Sequence, residues 1–311
     1  MKQIQNINNA KFSIHDDTTI GSVVLNVTNL GRQVSFYQQL LGFQVLKQEA
    51  GQALLGTSDK ELLQLVEQPR YKRYHRVTGL YHFAVLLPNQ GELARVVKRL
   101  HESGYPNYPT DHILTKTTYL DDPEGNGIEL YTESPEDGTW IMDQDSFYAR
   151  RADGSISSGR EPLYLEALFK HLETDDRLDL PIPDNTRIGH VHLHVGNIDE
   201  ALLFYHGVLG FDVMGRTDAA RMAFVSAGGY HHHIGLNTWQ GEGAPAPPPD
   251  SLGLSYFSIE LPDDRTLNEI SRRIEQAGIS AEINGEGLYL QDPSRNGVML
   301  TGKINRQDYD S

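Results

Sequence analysis

The 311-residue sequence predicts an α+β fold of four βαβββ modules, arranged as two paired-module domains with curved mixed sheets. Two observations predict it. The first is an internal repeat. Gly21, Phe36, Tyr37, Gly42 and Phe43 recur as Gly189, Phe204, Tyr205, Gly210 and Phe211, and Gly79, Phe83 and Pro88 recur as Gly253, Phe257 and Pro262. Asp122, Pro123 and Gly127 recur as Asp292, Pro293 and Gly297. A repeat on this scale marks duplicated structural units. The second is that each half reads as strand, helix, then short strands, twice over.

The elements follow in order. IGSVVLNV (20–27) alternates apolar residues as a half-buried strand does. In LGRQVSFYQQLLGF, Val34, Tyr37, Leu40 and Leu41 keep helical spacing, and Gly42 provides the stop. Strands follow at FQVLKQE and ELLQLVE. The second module repeats the order, with LYHFAVLLP as a strand and ELARVVKRLHESG as a helix ending at Gly104. Its closing strands are TTYLDD and GIELYTE, with the turn PEGNG between them. Modules three (188–240) and four (253–302) run the same way. A lone module leaves one sheet face bare, so modules must pair to cover it.

The expected organisation is an N-terminal half at 18–135 with modules one and two, a connector at 136–187, and a C-terminal half at 188–303 with modules three and four. The connector is charged, contains Trp140 and has helical spacing at EPLYLEALFKHLE (161–173). GEGAPAPPPDS (241–251) reads as a Pro-rich loop. About fifteen residues at the start and eight at the end are expected to fray.

Composition restricts function. A net charge of −15 disfavours nucleic acid and anionic membrane surfaces, which require basic patches. The acidity needs no explanation beyond a solvated surface. No apolar stretch approaches the ~20 residues of a membrane span, and the polar N-terminus lacks the core of a secretion signal. The expectation is a cytoplasmic protein. With no cysteine, thiolate ligands, cysteine nucleophiles and disulfides are excluded. Any metal ligands must be histidine and carboxylate. There is no phosphate-binding loop and no serine nucleophile elbow.

The breaks in the repeat carry the chemistry. Ser22 corresponds to His190, His82 to Tyr256, and Glu129 to Met299. Two histidines and one carboxylate survive, split between the halves. His190, His192 and His194 share one strand face, since alternate residues point the same way. A single strand histidine is commonly a hydrogen-bonded structural group. If first and last strands of a module lie side by side, however, His82 and Glu129 meet, and His190 from a partner module completes a set. Two imidazoles and a carboxylate with open positions form the triad of non-haem Fe(II) oxygenases.

GLYHFAVLLP, DHILTKTTYLDDPEGNGIELY and GYHHHIGLN resemble the vicinal oxygen chelate superfamily, and within it the bacterial catechol 2,3-dioxygenase branch, over about residues 18–302. The resemblance implies a vicinal oxygen chelate fold and an extradiol ring-cleaving dioxygenase acting on a small aromatic diol with O2. It implies Fe(II) held by His190, His82 and Glu129; Mn(II) suits the same donors. Tyr119, ten residues before the glutamate, would be a hydrogen-bond donor to the substrate oxygen. His232, within GYHHHIGLN, would be an acid/base near bound oxygen; strand alternation would turn His231 and His233 away, though the residues alone leave open which of the three faces the site. His112 would add a second donor. The alternative for Tyr119 is a core role, since Tyr289 repeats it in the ligand-free half. The sequence departs from many extradiol enzymes in placing no ligands in module four. The site must then come from modules two and three, leaving one and four as a scaffold. A glyoxalase-like lyase or isomerase, or a metal-free resistance protein of the same superfamily, are the alternatives. Exposed sheet edges leave a homo-oligomer open.

Overall fold

A computed structural model describes residues 12–285 and 287–302. Module one comprises β1 (Thr19–Val27), α1 (Leu30–Phe36, continued by a π-helical turn over Tyr37–Leu41), β2 (Gln44–Glu49), β3 (Gln52–Gly56) and β4 (Glu61–Glu67). Module two comprises β5 (Gly79–Leu86), α2 (Gln90–Ser103), β6 (Tyr108–Asp111), β7 (Thr115–Asp121) and β8 (Gly127–Glu133). The connector folds as β9 (Gly138–Met142), β10 (Phe147–Arg151), β11 (Ile156–Ser157), β12 (Glu161–Pro162) and α3 (Leu165–Phe169). Module three holds β13 (Arg187–His194), α4 (Ile198–Leu202, with a π-helical turn over Leu203–Val208), β14 (Asp212–Thr217), β15 (Met222–Ser226) and β16 (Ile234–Asn237). Module four holds β17 (Gly253–Leu261), α5 (Asp264–Gln276), β18 (Ala281–Asn284), β19 (Gly287–Gln291) and β20 (Gly297–Gly302).

The modules assemble into two mixed sheets. One runs β18-β19-β20-β17-β1-β4-β3-β2 and the other β12-β6-β7-β8-β5-β13-β16-β15-β14. Modules four and one therefore share a sheet, joined by antiparallel β17 and β1, and modules two and three share the other, joined by antiparallel β5 and β13. In every module the first strand runs parallel to the last, as β5 does with β8. The repeated glycine that opens the last strand permits this approach. A Cβ at Gly127 would overlap the Tyr81 carbonyl oxygen, and one at Gly297 the Ser255 carbonyl oxygen.

Helices cover the sheets through apolar stripes at helical spacing. On α2 these are Leu93, Val96, Val97 and Leu100, all buried. Truncating one such leucine to alanine costs about 2–5 kcal/mol through lost burial and the cavity left behind. Asn89 caps the N-terminus by accepting from the Glu92 N–H at 3.0 Å, and Gly104 ends the helix in the left-handed region at φ 68°.

Some expectations differ from what is observed. A strand at β3 lies between the two recognised after α1. The connector is mostly strand: β9–β11 form a separate three-stranded sheet, β12 extends the nine-stranded one, and the helix spans only Leu165–Phe169. Its strands pair with each other or with β6, so their sequence lacks the alternation of a half-buried module strand. Part of the expected N-terminal fraying is also incorrect. Ile14 is buried and its N–H donates to the Gly210 carbonyl at 2.8 Å, because the Gly210 turn leaves room for the incoming chain. Residues 1–11 and 303–311, where the rest of the fraying was expected, lie outside the described residues.

Candidate metal centre

His82 projects from β5, Glu129 from β8 and His190 from β13, three neighbouring strands of the nine-stranded sheet. His82 Nε2 and His190 Nε2 lie 3.3 Å apart, and they lie 3.2 and 3.1 Å from Glu129 Oε2. All three side chains are buried. The triangle so formed has edges of about 3 Å, which is the spacing of neighbouring ligands each ~2.0–2.2 Å from one ion. Burial works to raise Glu129, but hydrogen bonds and charge from His190 and His82 outweigh it and hold the carboxyl well below its usual range. No lysine or arginine pairs with this carboxylate among the described residues; its ionic partners are the two imidazoles. A buried carboxylate offset only by histidine fits a divalent cation, which would supply the missing charge.

The triad forms the floor of a cavity of about 580 Å3. Modules two and three and the connector all contribute walls: Tyr81, Tyr119, Trp140, Phe224 and Trp239 bring aromatic surface. His192 also lines the cavity, buried beside His82 with ring centroids 5.2 Å apart, and its Nε2 has no partner. His194, the third member of the strand face, turns to Asn237, with Nδ1 2.7 Å from Oδ1.

Tyr119 and His112 face the triad from β7 and the loop before it. His112 Nδ1–H donates to the Gly159 carbonyl at 2.5 Å, since a carbonyl can only accept. Burial lowers the His112 pKa, so the ring is neutral and its Nε2 is an acceptor, 2.9 Å from the Tyr119 hydroxyl. In this tautomer His112 Nε2 accepts a hydrogen bond from the Tyr119 hydroxyl. Tyr119 itself is pushed well above the usual phenol range, by burial first and then by the Glu129 charge. Its repeat partner Tyr289 instead faces Tyr256, in the sheet that has no triad.

Of the three consecutive histidines, His232 and His231 line the cavity and His233 does not. His232 stacks on Phe224 at 4.2 Å and lies 4.1 Å from the His190 ring, with burial holding it neutral. His233 turns inward, its Nδ1 accepting from the Ala227 N–H at 3.2 Å and facing Ser226 Oγ at 2.9 Å. The expectation that His231 faces away is corrected. This stretch is a turn that precedes β16, so the alternation of a strand does not apply. His190, His231 and His232 also place one donor atom each within 4.8 Å of the others, an overlapping set around the same floor.

Behind His190, Gly189 leaves space for the Tyr131 hydroxyl, which a Cβ would overlap. Tyr131 is 2.5 Å from Tyr230 Oη, and Tyr230 donates to Glu133 at 2.6 Å. The Tyr131 ring packs at 5.2 Å from His190 and fixes its orientation.

Trp140, Phe147 and Arg160 of the connector were not foreseen as cavity residues. They lie outside the repeat, so no internal counterpart singles them out.

Paired βαβββ modules with a histidine–carboxylate centre at their seam define a metal-site fold of the vicinal oxygen chelate type. The chain belongs to the glyoxalase/bleomycin resistance protein/dioxygenase superfamily, whose model matches residues 19–130 and 187–300. It is 40% identical over 284 residues, 90% of this chain and 96% of the relative, to the catechol-2,3-dioxygenase of Bacillus subtilis (strain 168). Over 155 residues, 47% of this chain and 80% of the relative, it is 26% identical to biphenyl-2,3-diol 1,2-dioxygenase 3 of Rhodococcus globerulus. Among solved structures, glyoxalase I from Zea mays shares the fold with a TM-score of 0.54 and 14% identity, covering 92% of each chain. No helix among the described residues is long and apolar enough to cross a membrane.

Proposed function

We propose that this chain is an Fe(II)-dependent extradiol dioxygenase that uses O2 to open the ring of a catechol-type diol beside its two hydroxyls. The observation that carries this reading is the convergence of His82, His190 and Glu129 within 3.3 Å of one another on the floor of an aromatic-walled cavity. Support also comes from the Bacillus subtilis relative named catechol-2,3-dioxygenase, which matches nearly the whole chain.

In this reading His82, His190 and Glu129 hold the metal, with Mn(II) the second candidate for the same donors. When bound, the metal supplies a Lewis-acid and redox centre at which diol and O2 meet. The chain's own residues do the rest. Phe224, Trp140 and Tyr81 hold the planar ring and exclude water. His232, neutral and close to His190, is the group that takes a proton from a substrate hydroxyl and returns it later. Tyr119 supports the substrate oxygen by turning its one hydroxyl proton toward it, away from His112 Nε2 where that proton otherwise points.

The test is anaerobic reconstitution with Fe(II), then assay with catechol for the yellow ring-opened product, alongside the methylglyoxal–thiol adduct. Ring opening that depends on Fe(II) and O2 is the expected result. Turnover of the adduct with no turnover of any diol would overturn it in favour of a glyoxalase-like lyase. Reconstitution with Mn(II) in parallel separates the two metals.

A further inference from the structure

The cavity is larger than a single unsubstituted ring requires: about 580 Å3 is within the range that accommodates drug-sized ligands. The triad and its histidines define one end. The connector supplies another wall, and there Arg160 is the only lysine or arginine among the lining residues.

Three observations make this arginine unusual. Arg160 is exposed at the cavity wall, and its guanidinium makes no hydrogen bond or ion pair within the described residues, although the chain carries 42 acidic residues against 27 basic ones. The adjacent acid is already engaged, since Glu161 accepts from Ser157 Oγ at 2.7 Å and pairs with Arg151 at 3.5 Å. The backbone carrying Arg160 is fixed on both sides. Gly159 accepts from His112 Nδ1 at 2.5 Å, the Arg160 N–H donates to Ser158 Oγ at 3.1 Å, and Glu161–Pro162 pair with β6.

We propose that Arg160 receives an anionic substituent on the substrate ring, and that the chain's substrates are catechols bearing a carboxylate. A guanidinium fork matches a carboxylate in two parallel hydrogen bonds, and the fixed backbone sets the position from which it reaches the cavity. For the diol end the proposal rests on the dioxygenase reading; the Arg160 end stands apart from it.

The experiment compares 3,4-dihydroxybenzoate with 4-methylcatechol, which has similar size and no charge, and with catechol, in the unaltered protein, Arg160→Gln and Arg160→Lys. Two readouts are used: kcat/KM with Fe(II) and O2, and anaerobic binding followed by quenching of Trp140 and Trp239, the chain's two tryptophans, both of which line the cavity. Expected is about a tenfold preference for the carboxylated diol, the scale of one charge-assisted hydrogen bond at a partly exposed site. Arg160→Gln abolishes that preference, Arg160→Lys keeps part of it, and 4-methylcatechol and catechol change by no more than about twofold. Equal losses for charged and uncharged diols, or no discrimination by the unaltered protein, would overturn the proposal. If no diol is cleaved but binding still discriminates through Arg160, the dioxygenase reading fails and the anion site stands.

Discussion

The Tyr37 hydroxyl donates to Asp122 Oδ2 at 3.0 Å, joining module one in the eight-stranded sheet to module two in the nine-stranded sheet. The repeat reproduces the bond: Tyr205 donates to Asp292 Oδ2 at 3.1 Å, joining modules three and four. Each sheet is thus built across the two halves of the sequence, while these tyrosines tie the modules within each half. Tyr37→Phe and Tyr205→Phe each leave a buried carboxylate short of a donor. Each should cost about 1–3 kcal/mol in urea unfolding. The two bonds share no partner, so the double variant should lose the sum. A loss near zero for either would mean that Asn126 or Asn296, which also donate to these carboxylates, suffices alone.

Replacing a triad member should empty the metal site without unfolding the chain. Glu129→Gln keeps shape and hydrogen bonding but removes the charge, and should weaken metal binding by at least about tenfold, the lower bound for disturbing even an outer partner. Metal content measured after dialysis checks this. Full retention of metal in Glu129→Gln would assign the ion to the overlapping set of His190, His231 and His232 instead.

If Tyr119 acts as proposed, Tyr119→Phe lowers kcat on the order of 100-fold while KM for the diol changes little, because in that reaction the hydroxyl acts on the reacting oxygen and contributes little to holding the ring. His112→Gln should reproduce part of the loss, since it removes the imidazole acceptor of the Tyr119 proton. Equal activity in Tyr119→Phe would reduce Tyr119 to a packing group, like its repeat partner Tyr289.

The fold should be acid-labile through its buried histidines. Burial lowers His233 from its ordinary 6.5 to about 4, and the Ala227 N–H already points at the Nδ1 lone pair. A depressed histidine stabilises the fold fully above about pH 6.5, and that contribution is lost as pH falls toward 4. The difference of about 2.5 pH units amounts to at most about 3 kcal/mol. Unfolding measured at pH 7.5 and 5 should reveal the loss, and His233→Asn, which keeps an acceptor but does not titrate here, should reduce it. An unchanged pH slope in His233→Asn would shift the effect to His190, His231 and His232, also lowered by burial.

The module order and the triad were legible because duplication supplies an internal control. Wherever Ser22, Tyr256 and Met299 replace His190, His82 and Glu129, fold alone does not demand the ligand type. The pairing of module two with module three followed from the same mismatches. Less was legible where no copy exists. Trp140, Phe147 and Arg160 reach the cavity from a connector whose course depends on contacts such as Trp140 Nε1 to the His112 carbonyl at 2.8 Å. The three consecutive histidines were ambiguous for a different reason. Their directions are set by where β16 begins, at Ile234, and by Ser226 and Ala227 drawing His233 inward.

The seam between β5 and β13 also orders events in time. His82 and His190 stand 108 residues apart in the chain, and the strands that carry them touch only after module three exists. A nascent chain that has completed modules one and two holds His82 and Glu129 but cannot close the triad. The scaffold sheet waits longer, because β1 must hold its edge open until β17 is made. Closure of the triad is therefore a late event in the life of each molecule, and a truncated or half-folded copy has no complete centre at which a metal could be held.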